Sequence, residues 1–252
     1  MPKQSSRILF AGESWSTYAV HTKGANSYTT SAYEEGAKDL LAALASSGFD
    51  VTYMRNHEAA EGFPYTPEEL ASRFDVVGLS DIPADSLLLP HAVFVKGEKR
   101  PNRLRSLAKF VERGGGLLMV GGYMSFAGFE GRARYASTPL AETLPVEISH
   151  HDDRVEEPEG VNPAVARQHP ILEGVSGNWP YFLGYNRFKA KAGSEVILSV
   201  GKDPFLVIDR RGSGRVAAFA SDCSPHWGSP EFIAWPHYST FWSRLTAWLA
   251  GS

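Results

Sequence analysis

Short apolar runs alternate with amphipathic stretches along the first half of this chain. Two stretches carry apolar residues at the spacing of a helix face, residues 32–46 and 102–113. Strands that alternate with helices and are apolar on both faces are typical of a parallel sheet with helices packed on each side. The pattern predicts an α/β fold with a mostly parallel central sheet that is covered on both faces. Four runs of strand length are almost continuously apolar: residues 7–11, 49–53, 74–79 and 117–120.

The ends of the predicted helices are marked by capping signals. In the 32–46 stretch, Tyr33, Leu40 and Leu44 recur at helical spacing, and a glycine two residues later ends the pattern. Thr66 followed by Pro67 starts a further helix, because threonine caps the first turn and proline fits the first helical position. One face of the 102–113 helix is apolar and is expected to be buried: Leu104, Leu107, Ala108 and Val111.

The second half of the chain is less regular. Residues 146–149 are expected to form an edge strand, and the acidic stretch 150–160 a solvated loop. Glycines at 212 and 214 predict a hairpin between the last two strands. The chain should then close with a helix over residues 238–249 that buries Phe241, Trp242, Leu245 and Trp248. The strands of this half are predicted at residues 195–200, 205–209 and 215–220.

Composition narrows the class of protein. The 252 residues include 43% hydrophobic residues, enough for one large domain that spans residues 1–252. A formal net charge of −3 argues against a nucleic acid or an anionic membrane as the partner. The single cysteine cannot form an internal disulfide, and the first residues are polar with only a short apolar run after them. A cytoplasmic location is therefore expected.

Residues that follow the first, third and fourth strands are candidates for a ligand site. Parallel strands end at one edge of a sheet, and ligands of α/β proteins bind at that edge. Glu13, Ser14 and Trp15 follow the first strand, and Asp81 follows the third. His21 lies farther along the first of these loops and could reach the same edge. Either ligand binding or simple packing of the tryptophan would explain the first loop.

The fourth strand ends in a glycine turn at residues 121–122, the position at which many α/β enzymes expose a nucleophile. Tyr123 occupies the apex of this predicted elbow, and Ser125 follows two residues later. Both are candidate ligand-binding residues. A serine nucleophile is disfavoured, because the sequence does not have the G-x-S-x-G spacing.

The last strand runs into a third candidate segment that contains Asp222, Cys223, His226 and Trp227. A carboxylate, a thiol and an imidazole are the ingredients of nucleophilic or acid–base catalysis, so the first three are candidate catalytic residues. Trp227 is a candidate ligand contact. The alternative is a buried, neutral Cys223 and a His226 that bonds to the backbone.

The sequence indicates neither a metal site nor a cofactor. The run of two histidines and two aspartates at residues 150–153 has metal-ligand side chains, but adjacent side chains in an extended segment point apart. The first strand is not followed by the glycine fingerprint of dinucleotide-binding folds.

Several motifs distributed over almost the whole chain resemble those of a bacterial family of glutamine amidotransferase-like proteins, within the class I glutamine amidotransferase-like superfamily. This resemblance implies a flavodoxin-like, three-layer α/β sandwich with a mostly parallel central sheet. The fold does not by itself imply the activity of the family. These motifs are Gly12-Glu13-Ser14-Trp15, Ser80-Asp81-Ile82, Pro101-Asn102-Arg103-Leu104, Gly114-Gly115-Gly116-Leu117-Leu118-Met119, Gly121-Gly122-Tyr123-Met124-Ser125-Phe126, Asp152-Asp153-Arg154, Leu183-Gly184-Tyr185-Asn186 and Ser221-Asp222-Cys223-Ser224-Pro225-His226-Trp227.

The resemblance also indicates what is missing. Class I amidotransferases attack glutamine with a cysteine at the elbow, and a later histidine and glutamate complete the triad. By position the elbow here is Tyr123, and Ser221 or Asp222, or more loosely His226, falls near the histidine's place. The chain is also similar to sugar-utilisation proteins of the superfamily that have no such cysteine. We therefore expect no ordinary glutaminase activity.

Three functions remain open from the sequence. The first is a polar pocket for a small metabolite, with carbohydrate chemistry as one form of it; whether catalysis occurs there is left open. The second is a non-catalytic binding or assembly module, and the third is a hydrolase that uses Cys223 and His226. A homo-oligomer is also expected, because aromatic residues in proline- and glycine-rich stretches are frequent at interfaces. These are Trp179, Tyr181, Trp227 and Trp235.

Overall fold

A computed structural model describes residues 5–251 of the chain. Its fold is α/β, and a large sheet at its centre carries helices packed against it. The strands of the described residues are β1 (Arg7–Gly12), β2 (Ser14–Lys23), β3 (Asn26–Glu35), β4 (Asp50–Met54), β5 (Val76–Ser80), β6 (Gly116–Val120), β7 (Val146–Glu147), β8 (Arg154–Val161), β9 (Ala164–Val165), β10 (Phe182–Asn186), β11 (Lys189–Ala190), β12 (Glu195–Val200), β13 (Asp203–Arg211) and β14 (Gly214–Phe219).

The helices cover the sheet in two groups. In one group α1 (Lys38–Ser46) packs on α9 (Tyr238–Leu249), and in the other α3 (Pro67–Arg73) packs on α6 (Arg103–Glu112). Thr66 caps α3 by accepting a hydrogen bond from the backbone N–H of Glu69, with Pro67 in the first helical position, as the sequence predicts. The α-helices of the described residues are α1 (Lys38–Ser46), α2 (Asn56–Gly62), α3 (Pro67–Arg73), α4 (Ala84–Leu88), α5 (His91–Phe94), α6 (Arg103–Glu112), α7 (Leu140–Thr143), α8 (Pro230–Ile233) and α9 (Tyr238–Leu249).

The central sheet has eight strands in the order β4-β1-β5-β6-β14-β13-β12-β9. Neighbouring strands from β4 to β14 run parallel, and those from β14 to β9 run antiparallel. The sheet is therefore mostly parallel, which confirms the predicted fold class. The carboxyl ends of β1, β5, β6 and β14 lie side by side at one edge, because these four strands are consecutive in the parallel part.

The predicted helix over residues 32–46 is wrong in its first part. Residues 26–35 form β3, which pairs with β2 in an antiparallel hairpin, and only Lys38–Ser46 is helical. Tyr33 therefore faces solvent, with 46% of its surface exposed, and does not belong to an apolar helix face. Threonine and tyrosine fit an extended chain well, and in this segment that preference outweighs a helical spacing that arose by coincidence.

Two predictions for the second half also need correction. The acidic stretch 150–160, which was expected to be a loop, contains all but the last residue of β8. This strand pairs antiparallel with β10. Its partly buried residues are interspersed among exposed acidic ones, so the strand pattern is hard to see in the sequence. β7 pairs with the short strand β11 and does not join the edge of the central sheet.

The apolar face of α6 is buried as predicted. In α9, Phe241, Trp242 and Leu245 are buried as well, whereas Trp248 is only partly buried and Leu249 takes the interior position. Trp179 and Trp227, which were expected at a rim or a subunit contact, are 4% and 1% exposed. Trp179 packs on Trp235 with ring centroids 4.8 Å apart, so much of the aromatic content lies in the interior. None of the described helices combines the length and the apolar character needed to cross a membrane.

Candidate functional site

Loops from four parallel strands enclose a small cavity at the carboxyl edge of the sheet. Glu13 follows β1, Asp81 follows β5, Tyr123 lies in the glycine turn after β6, and Asp222 and His226 follow β14. The cavity has a volume of about 250 Å³, which equals the space of roughly eight water molecules at ~30 Å³ each. Trp15, Ser224 and Pro225 complete its lining. The cavity can therefore hold a small molecule and not a large one.

The backbone of three lining residues is held in an unfavourable conformation. Glu13, Asp81 and His226 have φ angles of +52°, +43° and +151°, a range that favours glycine. Only three other non-glycine residues among residues 5–251 have a positive φ. Such strain persists where the surrounding structure over-determines it, and it is concentrated at functional sites. Its coincidence with the cavity supports a functional role for this edge.

Glu13 is the most deeply buried carboxyl group of the cavity, with only 2% of its surface exposed. Its two oxygens accept hydrogen bonds of 2.5 Å from the hydroxyls of Ser80 and Ser224. Burial, and after it the negative charges of Asp222 and Asp81, raise the pKa of Glu13 to about 8. This glutamate therefore retains a proton over much of the neutral range and can give it up when a positive charge approaches.

Asp81 lies beside Glu13 and Asp222. Its Oδ1 accepts a hydrogen bond of 2.6 Å from the backbone N–H of Met124, and its own N–H donates to Ser125 Oγ. Burial and the charge of Asp222 raise the pKa of Asp81 to about 6. Three carboxyl groups thus share one cavity, and their mutual repulsion makes full ionisation of all three costly.

His226 and Asp222 form a hydrogen-bonded pair. The imidazole Nδ1 lies 2.8 Å from Oδ2 of Asp222, which also accepts the backbone N–H of Trp227 at 3.0 Å. This hydrogen bond, and the negative charge behind it, raise the pKa of His226. Burial raises the pKa of Asp222, and the bond to the imidazole opposes that rise. The Nε2 atom of His226 has no hydrogen-bond partner within residues 5–251, so it can serve a ligand.

A buried amide–carboxyl pair fixes the glycine turn behind these groups. Asn186 accepts the backbone N–H of Gly122 at 2.9 Å and donates to Asp153, which in turn accepts the N–H groups of Ala127 and Gly128. Gly122 has a φ of +145°, and a Cβ there would lie 2.9 Å from Asp81 Oδ1 and 3.0 Å from Asp222 Oδ1. The absent side chain lets two aspartates approach the same point.

Aromatic rings and an acidic side chain form an aromatic wall behind His226. Of its residues Tyr123 lines the cavity, whereas Glu156 and Trp227, which was expected to contact a ligand, do not. Tyr123 donates from its hydroxyl to Glu156, and Trp227 donates from its indole N–H to the same carboxylate at 3.0 Å. The ring of His226 stacks on Trp227 and meets Tyr123 edge-on, with centroids 5.4 and 4.7 Å away. Arg154 covers the Tyr123 ring at 4.6 Å. These contacts restrict the orientation of the imidazole.

The remaining residues expected at the site take different places. Ser14 is buried and accepts the N–H of Asn56, and Ser125 is buried beneath Asp81. Trp15 lines the cavity at the base of the β2–β3 hairpin, where its indole donates to Glu34. His21 lies farther out on that hairpin, bonded to Thr30, and is not part of the lining.

Cys223 lies beneath the cavity and does not line it. The thiol is 1% exposed and lies 3.8 Å from the hydroxyl of Ser80. Burial raises its pKa well above the ordinary value for a thiol, so the nucleophilic thiolate is disfavoured.

Sequence reasoning did not single out four polar residues that position the site: Ser80, Ser224, Glu156 and Asn186. Ser80, Ser224 and Asn186 occur inside the family-like motifs, which was the available signal. Glu156 lies in the acidic stretch interpreted as a solvated loop, and only the pairing of β8 with β10 brings it to the aromatic wall.

A metal site and a second surface depression are the alternatives to this cavity. No group of three histidine, cysteine, aspartate or glutamate side chains within residues 5–251 is arranged to hold a metal ion. A larger depression of about 570 Å³ adjoins Arg154 and Arg187. Its arginines are paired, Arg187 with Asp203 at 2.7 Å and Arg154 with Asp152 at 2.9 Å, whereas Lys189 and Lys202 have no ion pair among the described residues. This depression is lined from β7, β8, β11, β13 and the loops beside them and does not lie at the ends of the parallel strands. The cavity at the strand ends is the better candidate.

Comparison with known proteins agrees with the fold. Residues 7–251 match the model of a family described as "Putative glutamine amidotransferase". The chain belongs to this family. The turn after β6 carries Tyr123 and continues into turns and two short 3₁₀ segments, Phe129–Gly131 and Tyr135–Ser137. The family assignment thus leaves open which chemistry its cavity performs.

Solved structures of similar proteins also agree with the fold. The cytoplasmic proteins STM3548 and STM1381 of Salmonella typhimurium are 43% and 45% identical to the chain, each with a TM-score of 0.93. The alignments cover 96% of this chain and 98% and 99% of theirs. A thua-like protein of Bacteroides uniformis shares the fold at 12% identity, with a TM-score of 0.57 over 99% of this chain and 95% of its own. No curated protein sequence matches the chain.

Proposed function

We propose that this protein binds a small polar metabolite in the cavity at the strand ends and transfers a proton to or from it through His226. The observation that carries the proposal is the bond of 2.8 Å between His226 Nδ1 and Asp222 Oδ2 at the wall of a cavity that also contains Glu13 and Asp81. A shallow apolar patch would instead have favoured an assembly module.

Each group has a role in this chemistry. Asp222 fixes the tautomer of His226 and stabilises the imidazolium, so that Nε2 can exchange a proton with the ligand. Glu13 holds a second proton within the cavity, since burial and its acidic neighbours raise its pKa to about 8. A positioned acid or base contributes roughly 10²- to 10⁴-fold to a rate.

Glutamine hydrolysis through a thiolate is not part of the proposal. The elbow position holds Tyr123, and a phenol does not replace the thiolate that forms the acyl intermediate. The single thiol, Cys223, is buried beneath the cavity, which also weighs against a hydrolase based on it.

Two assays test the proposal, one for glutaminase activity and one for the binding of a small metabolite. Purified protein is assayed for ammonia release from glutamine, and ligand-observed NMR is run with a library of small polar metabolites. We expect no ammonia, and we expect ligands whose signals are perturbed by the native protein and not by His226→Ala. His237→Ala is the matched control, because the side chain of His237 is hydrogen-bonded to Ser176 and is not among the described residues that line the cavity. Robust ammonia release that Cys223→Ser abolishes would contradict the proposal.

The proposal includes a cytoplasmic location and self-association. The location is supported by the two Salmonella relatives, which are called cytoplasmic proteins. Self-association is supported by the β2–β3 hairpin, whose strands of ten residues each are exposed almost throughout. Tyr18 and Val20 are 78% and 70% exposed, although a two-stranded ribbon is only marginally stable alone. Pairing with the same hairpin of a second copy would satisfy the open strand edges of both chains.

A further inference from the structure

The side chains that line the cavity offer acceptors and almost no donors. Three lining donors are already bound to carboxylates: the Trp15 indole to Glu34, the Tyr123 hydroxyl to Glu156, and the Ser224 hydroxyl to Glu13. The Nδ1 of His226 is bound to Asp222 in the same way. With the carboxyl groups ionised, only Nε2 of His226 is left to donate among the lining side chains that the structure describes.

Carboxylate oxygens, in contrast, remain without a donor. Asp222 is 3% exposed and lines the cavity, yet both of its hydrogen bonds from the described residues go to Oδ2, and its Oδ1 receives none. Asp81 is bonded from Met124 through Oδ1, and its Oδ2 receives no hydrogen bond from residues 5–251. Neither oxygen is among the fully buried side-chain atoms without a partner in the described residues, so both are open to the cavity and can accept from a ligand that supplies donors.

We propose that the metabolite bound in this cavity is a small cation that carries an ammonium or guanidinium group, and that this group is held between Asp81 and Asp222. This inference rests on the proposed function and narrows its substrate class. An ammonium brings three donors and a positive charge into a cavity whose lining, within residues 5–251, contains neither lysine nor arginine. A neutral polyol would bring donors but would leave the repulsion between the carboxylates in place.

The charges around the cavity favour the same ligand. Glu13, Asp81 and Asp222 face it from β1, β5 and β14, and His226 is their one cationic neighbour in the lining. Arg154 approaches from β8 over Tyr123, but it is paired with Asp152. Glu156, bonded to Tyr123, adds a further negative charge beside it. Trp15 adds a partly exposed ring, and a tryptophan face attracts cations.

Binding of such a cation should be linked to proton release. The pKa values of Glu13 and Asp81 are raised to about 8 and about 6, so part of their population is protonated near neutrality. A bound positive charge stabilises the ionised forms and lowers both pKa values. Affinity for the cation should therefore rise between about pH 6 and pH 8, in the range set by those two values.

Matched pairs of probes test the inference by ligand-observed NMR and calorimetry at pH 6 and pH 8. Ethanolamine is compared with ethylene glycol, and 1,4-diaminobutane with 1,4-butanediol, so that each pair differs in its amino groups and both amines stay protonated at pH 8. We expect the amines to bind more tightly at pH 8, the neutral partners to bind at least tenfold more weakly, and Asp81→Asn to remove the preference. Glu13→Gln serves as a second variant that keeps hydrogen-bonding capacity, and circular dichroism shows whether each variant is folded.

The outcomes separate the inference from the proposed function. Neutral probes that bind as well as or better than the amines would overturn the cationic ligand and leave the small-metabolite proposal standing. An amine preference that survives Asp81→Asn in the folded protein would also overturn it. If neither set binds and the metabolite library also gives no ligand, the proposed function itself fails.

Discussion

His226 and Asp222 are four residues apart in the chain and joined by a bond of 2.8 Å, while their exposures differ sharply: the side chain of His226 is 47% exposed and that of Asp222 is 4% exposed. The pair therefore connects a buried charge to the cavity surface. The histidine is reachable by a ligand, and the aspartate that orients it is almost fully buried.

Replacing Asp222 by asparagine should lower the pKa of His226. The aspartate raises that pKa by accepting the Nδ1 hydrogen and by its negative charge, and asparagine removes the charge. The measurement is an NMR titration of the histidine ring nitrogens in the native protein and in Asp222→Asn. An unchanged titration in a folded variant would show that the pair does not couple in solution.

His226→Ala should abolish ligand binding or activity with little effect on stability. Half-exposed side chains contribute little to the core, so the free energy of unfolding should change by no more than ~1 kcal/mol. Any catalytic rate should fall by roughly 10²-fold or more. Urea denaturation and the ligand assay separate the two effects. A loss of several kcal/mol with unaltered binding by the folded fraction would identify a structural histidine.

Glu13→Gln should make the protein less sensitive to pH. Because the folded-state pKa of Glu13 is about 8, above its ordinary value of 4.5, the folded protein binds the proton more tightly than the unfolded chain. This contribution to stability is complete below about pH 4.5 and is lost as pH rises through about 8. Glutamine imitates the protonated form, so the variant should not lose this contribution as pH rises. Its free energy of unfolding, relative to that of the native protein, should therefore increase by at least ~1 kcal/mol between pH 5 and pH 8.

The measurement is chemical denaturation of both proteins at several pH values. Glu68→Gln is a suitable control, because Glu68 lies on the surface beside Arg113 and far from the cavity in the fold. Parallel pH profiles for native protein and Glu13→Gln would contradict the raised pKa.

Cys223 should be unreactive in the folded protein. Its thiol is buried and its pKa is raised, so little thiolate is available to attack a reagent. Ellman's reagent at pH 7.5 should label it slowly in buffer and at once in denaturant. Rapid stoichiometric labelling of the native protein would restore Cys223 as a candidate nucleophile.

Gly36→Ala should disturb the site, whereas Gly62→Ala should not. A Cβ on Gly36 would lie 2.7 Å from Glu13 Oε1 and 2.9 Å from Ser224 Oγ, while a Cβ on Gly62 would meet no described atom within 4 Å beyond its chain neighbours and the backbone of its own helix. Overpacking of this kind costs roughly 1–3 kcal/mol. We expect a lower Tm and weaker ligand binding for the first variant only. Equal behaviour of the two would mean that the carboxyl group is not fixed at this position.

The double variant Tyr18→Ser, Val20→Ser should dissociate the proposed oligomer. Both side chains project from the β2–β3 hairpin, and their loss weakens a hairpin-to-hairpin contact without touching the core. Phe94→Ser is the control, since Phe94 is 74% exposed at α5. Light scattering at micromolar concentrations measures the mass of each. A monomeric native protein would contradict self-association.

The sequence by itself determined the sheet and the edge at which its parallel strands end. Continuous apolar runs such as residues 76–79 bury both faces of a strand, and this required helices on each side. Once the strands were parallel, Glu13, Asp81, Asp222 and His226 had to lie near one another, because each follows a strand end. The sequence also identified Thr66 as a cap and the burial of the α6 face, since both depend on residues close in the chain.

Only the tertiary structure decided the rest. Residues 26–35 could have continued a helix, and pairing with β2 settled them as a strand because hydrogen bonds to a partner outweigh a weak local preference. Glu156 reached the aromatic wall through the pairing of β8 with β10. The free oxygens of Asp81 and Asp222, the buried position of Cys223 and the positive φ of His226 depend on contacts between distant segments. Residue type alone does not encode which atom of a carboxylate is left without a donor.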